Sequence, residues 1–230
     1  MTGPVATALA RFRACGSGWL ELPFFKGGAA DAVATRIDAR IAEGATVLPA
    51  PDDIFAALAL TPPEAVKAVV LGQDPYPTPG DAHGLAFSYV GPRRLPASLK
   101  VILAECPGGA PVPPTGDLSP WARRGVLLLN TALTVEAGKA GAHLRYGWSA
   151  LTDEVVGHLS AQGRPVVFLL WGAPARARAA LIDTNRHGIV ESGHPSPLNR
   201  LRDFAGSRPF DKANDWLVRN GVAPIDWRLD

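Results

Sequence analysis

Four short runs of aliphatic residues stand out along a chain otherwise mixed in polarity: Ala68 to Leu71, Val126 to Leu129, Val166 to Leu170 and the weaker Gly188 to Val190. A continuous apolar run of this length reads as a strand covered on both faces, because a half-exposed strand would alternate apolar and polar positions. Between the runs, Leu99 to Glu105, Ser149 to Ser160 and Ala173 to Ile182 can hold helices. Strands and helices therefore alternate, which predicts an α/β fold: a parallel sheet with helices on both faces. The Pro- and Gly-rich stretches Pro75 to Gly80 and Gly108 to Gly116 are short and are followed by more of the same pattern, so they read as loops rather than linkers. With no internal repeat, one domain over residues 1–230 is the economical expectation, residues 1–45 forming an N-terminal helical segment.

Composition narrows the class. At 230 residues, 47% hydrophobic and 19% charged, the chain can bury a sizeable core. Stretches such as Val166 to Ala175 fall well short of the roughly 20 apolar residues of a membrane span, so no membrane association is expected. Arg11 and Arg13 interrupt the only early apolar stretch, Val5 to Ala10, which argues against a signal-peptide core. The first twenty residues lack acids, as transit peptides do, but an ordinary amphipathic helix accounts for them equally and is the simpler reading. Cys15 and Cys106 are the only thiols, which suits a reducing, cytoplasmic setting and cannot supply a zinc ribbon or four-cysteine cluster. None of the five histidines shows the spacing that places two imidazoles on one helix face, so no metal is expected. The net charge of +2 is small, yet 18 of the 23 basic residues are Arg, the better bidentate partner for phosphate.

Chemistry is expected where the strands end, since open α/β sheets bind ligands beyond the carboxyl ends of their strands. After the first run comes Gly72-Gln73-Asp74-Pro75-Tyr76-Pro77, a carboxylate and a phenol in a proline-stiffened turn; the second ends in Asn130, whose amide both donates and accepts. The third ends in Trp171-Gly172, and after the fourth His194-Pro195-Ser196-Pro197-Leu198 clamps a histidine between prolines and leaves Leu198 on a loop. Each has an ordinary structural use as well: Asp74 can cap a turn, Asn130 can satisfy backbone groups, and His194 can be a buried, hydrogen-bonded ring. Four such groups at four strand ends point to a site, without naming its reaction.

The residues resemble a known family, the family 1 uracil-DNA glycosylases. GQDPYPTPGDAHGLAFS, from Gly72 to Ser88, is similar to that family's water-activating loop, and HPSPL, from His194 to Leu198, to its leucine loop. WARRGVLLLNTALTV (Trp121 to Val135), GWSALTD (Gly147 to Asp153), VVFLLWG (Val166 to Gly172) and PIDW (Pro224 to Trp227) are similar too, so the resemblance runs from about Val47 to Trp227.

That resemblance implies a single α/β domain around a central four-stranded parallel sheet. It also implies a monofunctional hydrolase that flips uracil out of DNA and cuts its N-glycosidic bond in base excision repair, with no cofactor. The expected partners are uracil-containing DNA, single- or double-stranded, and free uracil as product, with the protein a monomer. By the same resemblance, Asp74 stabilises the cationic sugar and activates water, and His194 donates to uracil O2. Gln73, Tyr76, Phe87 and Asn130 form the uracil pocket: Phe87 stacks on the base, Asn130 reads N3–H and O4, and Tyr76 blocks thymine's methyl group. Leu198 is the wedge, and Ser98, Ser196 and Arg200 reach the DNA backbone. Phe87 and Leu198 could instead be ordinary packing residues and the serines turn formers. The chain departs from the family pattern at Pro77 (for histidine), Ala97 (for proline), Ala173 (for serine) and Asn199 (for serine). Those changes leave the base-reading set intact and bear on phosphate grip, with Arg200 and Arg202 as candidate replacements. A binding protein that keeps the pocket without useful catalysis, and an unrelated enzyme acting on phosphate esters, are the rival classes; the second would want a glycine-rich phosphate cradle or an acidic metal cluster, and neither is visible.

Overall fold

The computed structural model describes residues 3–107, 115–201 and 203–229. The chain opens with α1 (Pro4–Ala14), α2 (Pro23–Lys26), α3 (Ala29–Ala42), the short strand β1 (Val47–Leu48) and α4 (Ala56–Leu60). Then follow β2 (Ala68–Gly72), α5 (Ala97–Ala104), α6 (Ser119–Arg123), β3 (Val126–Asn130), β4 (Val135–Glu136) and α7 (Trp148–Ala161). The last elements are β5 (Val167–Trp171), α8 (Ala173–Arg176), β6 (Gly188–Ser192) and α9 (Pro209–Arg219).

β2, β3, β5 and β6 form one parallel sheet in the order β3-β2-β5-β6. Every residue of β2, β3 and β5 is buried, which means both faces of the sheet are covered. The edge strand β6 instead alternates, with Glu191 exposed. The four apolar runs are these strands, extended at their carboxyl ends by Gly72, Asn130, Trp171 and, on the fourth, Glu191 and Ser192. Because the chain steps from β2 to β3 on one side and to β5 on the other, the order reverses between β2 and β5, and a crevice opens at their carboxyl ends.

The helices expected at Leu99 to Glu105 and Ser149 to Ser160 are α5 and α7. The third, over Ala173 to Ile182, is a correction: α8 stops at Arg176 and a 3-10 helix continues over Ala177–Leu181. Only Ala175 and Ile182 of that stretch are buried, too little apolar surface to hold a longer amphipathic α-helix against the sheet. Of the loop expected at Gly108 to Gly116, residues 108–114 lie outside the described set. Before the sheet, α1 buries Val5, Ala8, Leu9 and Phe12 along one face, and Asp38 of α3 accepts the free N–H groups of Val5 and Ala6 at 2.9 and 3.0 Å. The amphipathic-helix reading of the first residues is the one the structure has. One buried apolar cluster runs from Val5 to Trp227. No helix among the described residues is long and apolar enough to cross a membrane.

Candidate active site

The carboxyl ends of β2, β3 and β6 converge on a pocket of about 200 Å3. Gln73, Asp74, Tyr76, Phe87, Ser98, Asn130 and His194 all line it, so three of the four strand-end groups singled out in the sequence meet in one place, and the remaining one, Trp171, packs against Phe87 at 5.4 Å without lining the pocket. Ser196, Leu198 and Arg200 do not: they follow His194 on the next loop, where Ser196 borders a neighbouring cavity and Leu198 stands 90% exposed.

Asn130 ends β3 directly opposite Gly72 in the ladder. A Cβ at Gly72 would lie 2.2 Å from Asn130 Oδ1, so glycine is what allows the amide to turn across β2 into the pocket. The side chain is buried, and among the described residues its amide has no hydrogen-bond partner in the protein. Its amide is not among the sealed, unpartnered polar atoms, so it opens into the pocket with its donor and acceptor both available to a ligand.

Asp74 is half-buried, and both carboxylate oxygens are held: Oδ1 accepts from Gln73 Nε2 at 3.1 Å, and Oδ2 from the backbone N–H of Gly141 at 2.5 Å. Gly138 N–H also bonds the carbonyl of Pro77 at 2.7 Å, which docks the loop after β4 onto the Asp74 turn. Sequence reasoning missed this loop, because a backbone donor leaves no side-chain signature; the glycines at 138 and 141, both at positive φ, were the one available hint.

Phe87 carries a backbone φ of 63°, a left-handed conformation that a bulky residue adopts only when its surroundings impose it. The Tyr76 hydroxyl donates to the Phe87 carbonyl at 3.0 Å, and the Phe87 ring tilts against Trp171 and His194 at 5.4 and 6.0 Å. Tyr76 stands edge-on to Tyr89 at 5.9 Å. Burial pushes the Tyr76 phenol up to about 12, with the Ser98 hydroxyl pulling the other way, so the ring stays neutral.

His194 sits against Gly172, where an added Cβ would meet the His194 Cβ at 3.0 Å. Its Nδ1 accepts the backbone N–H of Ser196 at 3.0 Å. A backbone N–H can only donate, so Nδ1 is unprotonated and the neutral ring carries its proton on Nε2. Burial lowers the ring's pKa, which favours the same neutral form. The other histidines are engaged elsewhere: His83 with Ser88, His143 with Thr134, His158 with Gln162, and His187 with Ser160 and the N–H of Val166.

Comparison with known proteins gives the family. A model of the uracil DNA glycosylase superfamily matches residues 59–218. The chain belongs to that superfamily. It is 50% identical to the uracil-DNA glycosylase of Exiguobacterium sibiricum over 184 residues, 79% of this chain and 84% of that one. Over a longer span, 211 residues and 90% of each chain, it is 45% identical to the uracil-DNA glycosylase of Erwinia tasmaniensis. Among solved structures, a mimivirus UNG carrying Y322F and bound to UGI superposes with a TM-score of 0.83 at 26% identity, covering 93% of this chain and 89% of that one.

The departures can be located within this superfamily member. Pro77 lines the pocket, and its carbonyl holds Gly138. Ala97 is the first residue of α5 and Ala173 the first of α8. Asn199 is turned into its own loop, hydrogen-bonded to the His194 carbonyl and Asp203. Arg200 is exposed on the same loop, and Arg202 lies outside the described residues.

Proposed function

We propose that Asp74 and His194 are the catalytic pair with which this chain excises uracil from DNA, and that Gln73, Tyr76, Phe87 and Asn130 hold the extruded base. The activity is that of a monofunctional uracil-DNA glycosylase, which hydrolyses the N-glycosidic bond. The observation that carries the residue assignment is the Asn130 amide, hydrogen-bonded to no protein group among the described residues and open to a pocket that also contains a half-buried carboxylate and a neutral imidazole.

A base stacked in a duplex is out of reach, so it must leave the stack, at a cost of a few kcal/mol. Leu198, 90% exposed beyond the pocket, fills the gap it leaves. Inside the pocket, Phe87 covers the face of uracil while Asn130 accepts from N3–H and donates to O4. Cytosine presents neither group in that pattern, and a site built on such hydrogen bonds rejects the mismatched ligand strongly. The Tyr76 ring takes the space next to C5, where thymine carries a methyl group.

As the bond from N1 to C1′ lengthens, its electron pair leaves with uracil and positive charge develops on the sugar. His194 Nε2–H donates to O2, where the negative charge collects, and needs no proton transfer to do so. Asp74 stabilises the cationic sugar and accepts the proton of the water that attacks C1′. Its carboxylate is already oriented by Gln73 and Gly141, so little reorganisation accompanies the step.

Ser98, Ser196 and Arg200 contact the DNA backbone, on this reading, and the protein works as a single cytoplasmic domain and as a monomer. Cleavage of matched oligonucleotides bearing one uracil, thymine or cytosine, with EDTA present, tests the assignment. Uracil alone should be cut, and Asp74→Asn should lower the cleavage rate by about 10²–10³-fold while leaving DNA binding nearly unchanged. Equal losses of rate and binding would remove Asp74 from the transition state. Binding without cleavage by the unsubstituted chain would favour a binding protein.

A further inference from the structure

The loop that carries Leu198 is anchored at its two ends, and among the described residues between them Ser196 holds the N–H groups of Leu198 (through Oγ, 3.2 Å) and Asn199 (through its carbonyl, 2.9 Å). At its start, His194 is fixed by the Ser196 N–H and by the Phe87 ring. At its far end Phe204 is buried edge-on to Trp171 at 5.0 Å, and the Glu105 carboxylate of the residue just after α5 accepts the N–H groups of Gly206 and Arg208 at 2.6 and 3.0 Å. Between these anchors Pro197, Leu198, Arg200 and Leu201 are exposed, Leu201 at 81%, and supply no packing that would set the shape of the tip.

Asn199 is the exception. Its Nδ2 donates to the His194 carbonyl at 3.1 Å and to Asp203 Oδ1 at 2.7 Å, and its Oδ1 accepts from the Leu201 N–H at 3.4 Å. Both amide hydrogens are thus committed inside the loop, which leaves none for a phosphate. The neighbouring backbone is built around this cross-link: a Cβ at Gly193 would lie 2.4 Å from Asn199 Nδ2 and 1.7 Å from Asp203 Oδ1. The side chain next to Leu198 in sequence therefore ties together the His194 carbonyl, Asp203 and the Leu201 N–H, while the Leu198 N–H is itself held by Ser196 Oγ at 3.2 Å.

We propose that Asn199 is a positioning residue that holds Leu198 in fixed relation to His194, so that the wedge enters the stack as the base reaches the imidazole. A serine at this position lacks the reach to span from the His194 carbonyl to Asp203. The substitution in this chain exchanges a side chain that could face the backbone of DNA for one that stiffens the wedge. The proposal rests on the functional reading above and concerns a single step of it. A wedge matters where stacking and pairing must be replaced, which is in duplex DNA; a uracil in a flexible single strand asks less of it.

The test compares kcat/KM on duplex and single-stranded uracil substrates for the full chain, Asn199→Ala, Asn199→Ser, Asp203→Ala, Leu198→Ala and the Asn199→Ala, Leu198→Ala pair. Loss of a charge-assisted hydrogen bond corresponds to about a tenfold fall on duplex, with a fall of less than about threefold expected on single strands. Because Asn199 acts through Leu198, its substitution should cost almost nothing further once Leu198 is alanine. Asn199→Ser, the smaller change, carries the comparison if the alanine variant does not fold. Equal losses on both substrates, or additivity with Leu198→Ala, would overturn the role of Asn199 while leaving the glycosylase reading intact. No uracil cleavage by the unsubstituted chain would overturn that reading, and this proposal with it.

Discussion

His194 shows how one backbone contact decides the chemistry of a side chain. With Nδ1 occupied by the Ser196 N–H, a second proton on the ring would point a donor at a donor. Burial works in the same direction, lowering the pKa from its ordinary value near 6.5. The sign follows directly. Between the lowered folded value and the ordinary unfolded one, the unfolded chain binds more protons, so this group's contribution to stability is full above about 6.5 and is lost as pH falls through that window. In the proposed role, activity depends on the neutral ring in the same sense. The His194 limb of the kcat/KM profile is therefore expected below pH 6.5, and an NMR titration of the ring nitrogens should show Nε2 protonated and Nδ1 bare at neutral pH. An inflection of His194 at or above the ordinary value would exclude the neutral-donor role.

At the scale of elements, the site depends on the register between β2 and β3. Gly72 stands opposite Asn130, and the missing side chain of the one makes room for the amide of the other. Gly72→Ala would place a methyl group 2.2 Å from Asn130 Oδ1, and a short side chain on a buried strand cannot swing aside without losing its aim. The expected result is a fall in kcat/KM of about 10–100-fold as two hydrogen bonds to the base are misaligned, with the far-UV circular dichroism unchanged. Full activity in this variant would mean that the Asn130 amide does not read the base. The strands themselves were legible in the sequence because burial on both faces leaves an unbroken apolar run, and the polar groups at their ends were legible because they break it. The ribbon of β1 and β4 was not, since two-residue strands carry no period. Nor was α9 singled out: Phe210, Ala213 and Leu217 do lie at helical spacing, but what makes them core is packing on β5, β6, Trp121 and Trp227, contacts distant in sequence. The same limit hid the Gly141 N–H, which reaches Asp74 across 67 positions of chain.

For the whole molecule, the question is how a chain of net charge +2 holds a polyanion. So small an overall charge gives little long-range attraction, and affinity must come from donors grouped at the mouth of the pocket. Some that the family pattern would supply are absent here: Pro77 has neither imidazole nor N–H, Ala97 and Ala173 have no polar side chain, and the amide hydrogens of Asn199 are spent within its loop. Ser98 at the pocket wall and Ser196 beside His194 remain, both as neutral donors, and neutral donors release few counterions. The salt dependence of binding should therefore be carried by cations, and among the described residues Arg200, exposed two residues beyond Leu198, is the candidate beside the proposed wedge. If it neutralises one phosphate, Arg200→Gln should lower the steepness of log K against log salt by about 0.9 on duplex and about 0.7 on single strands. The variant should lose affinity at low salt and approach the unsubstituted chain at high salt, with its rate on bound substrate preserved. Titrations of a uracil-containing duplex from 50 to about 200 mM salt, using Asp74→Asn as the background to prevent turnover, would measure the slope. An unchanged slope would place Arg200 away from the backbone and leave the remaining grip to the serines and to backbone N–H groups of the loops.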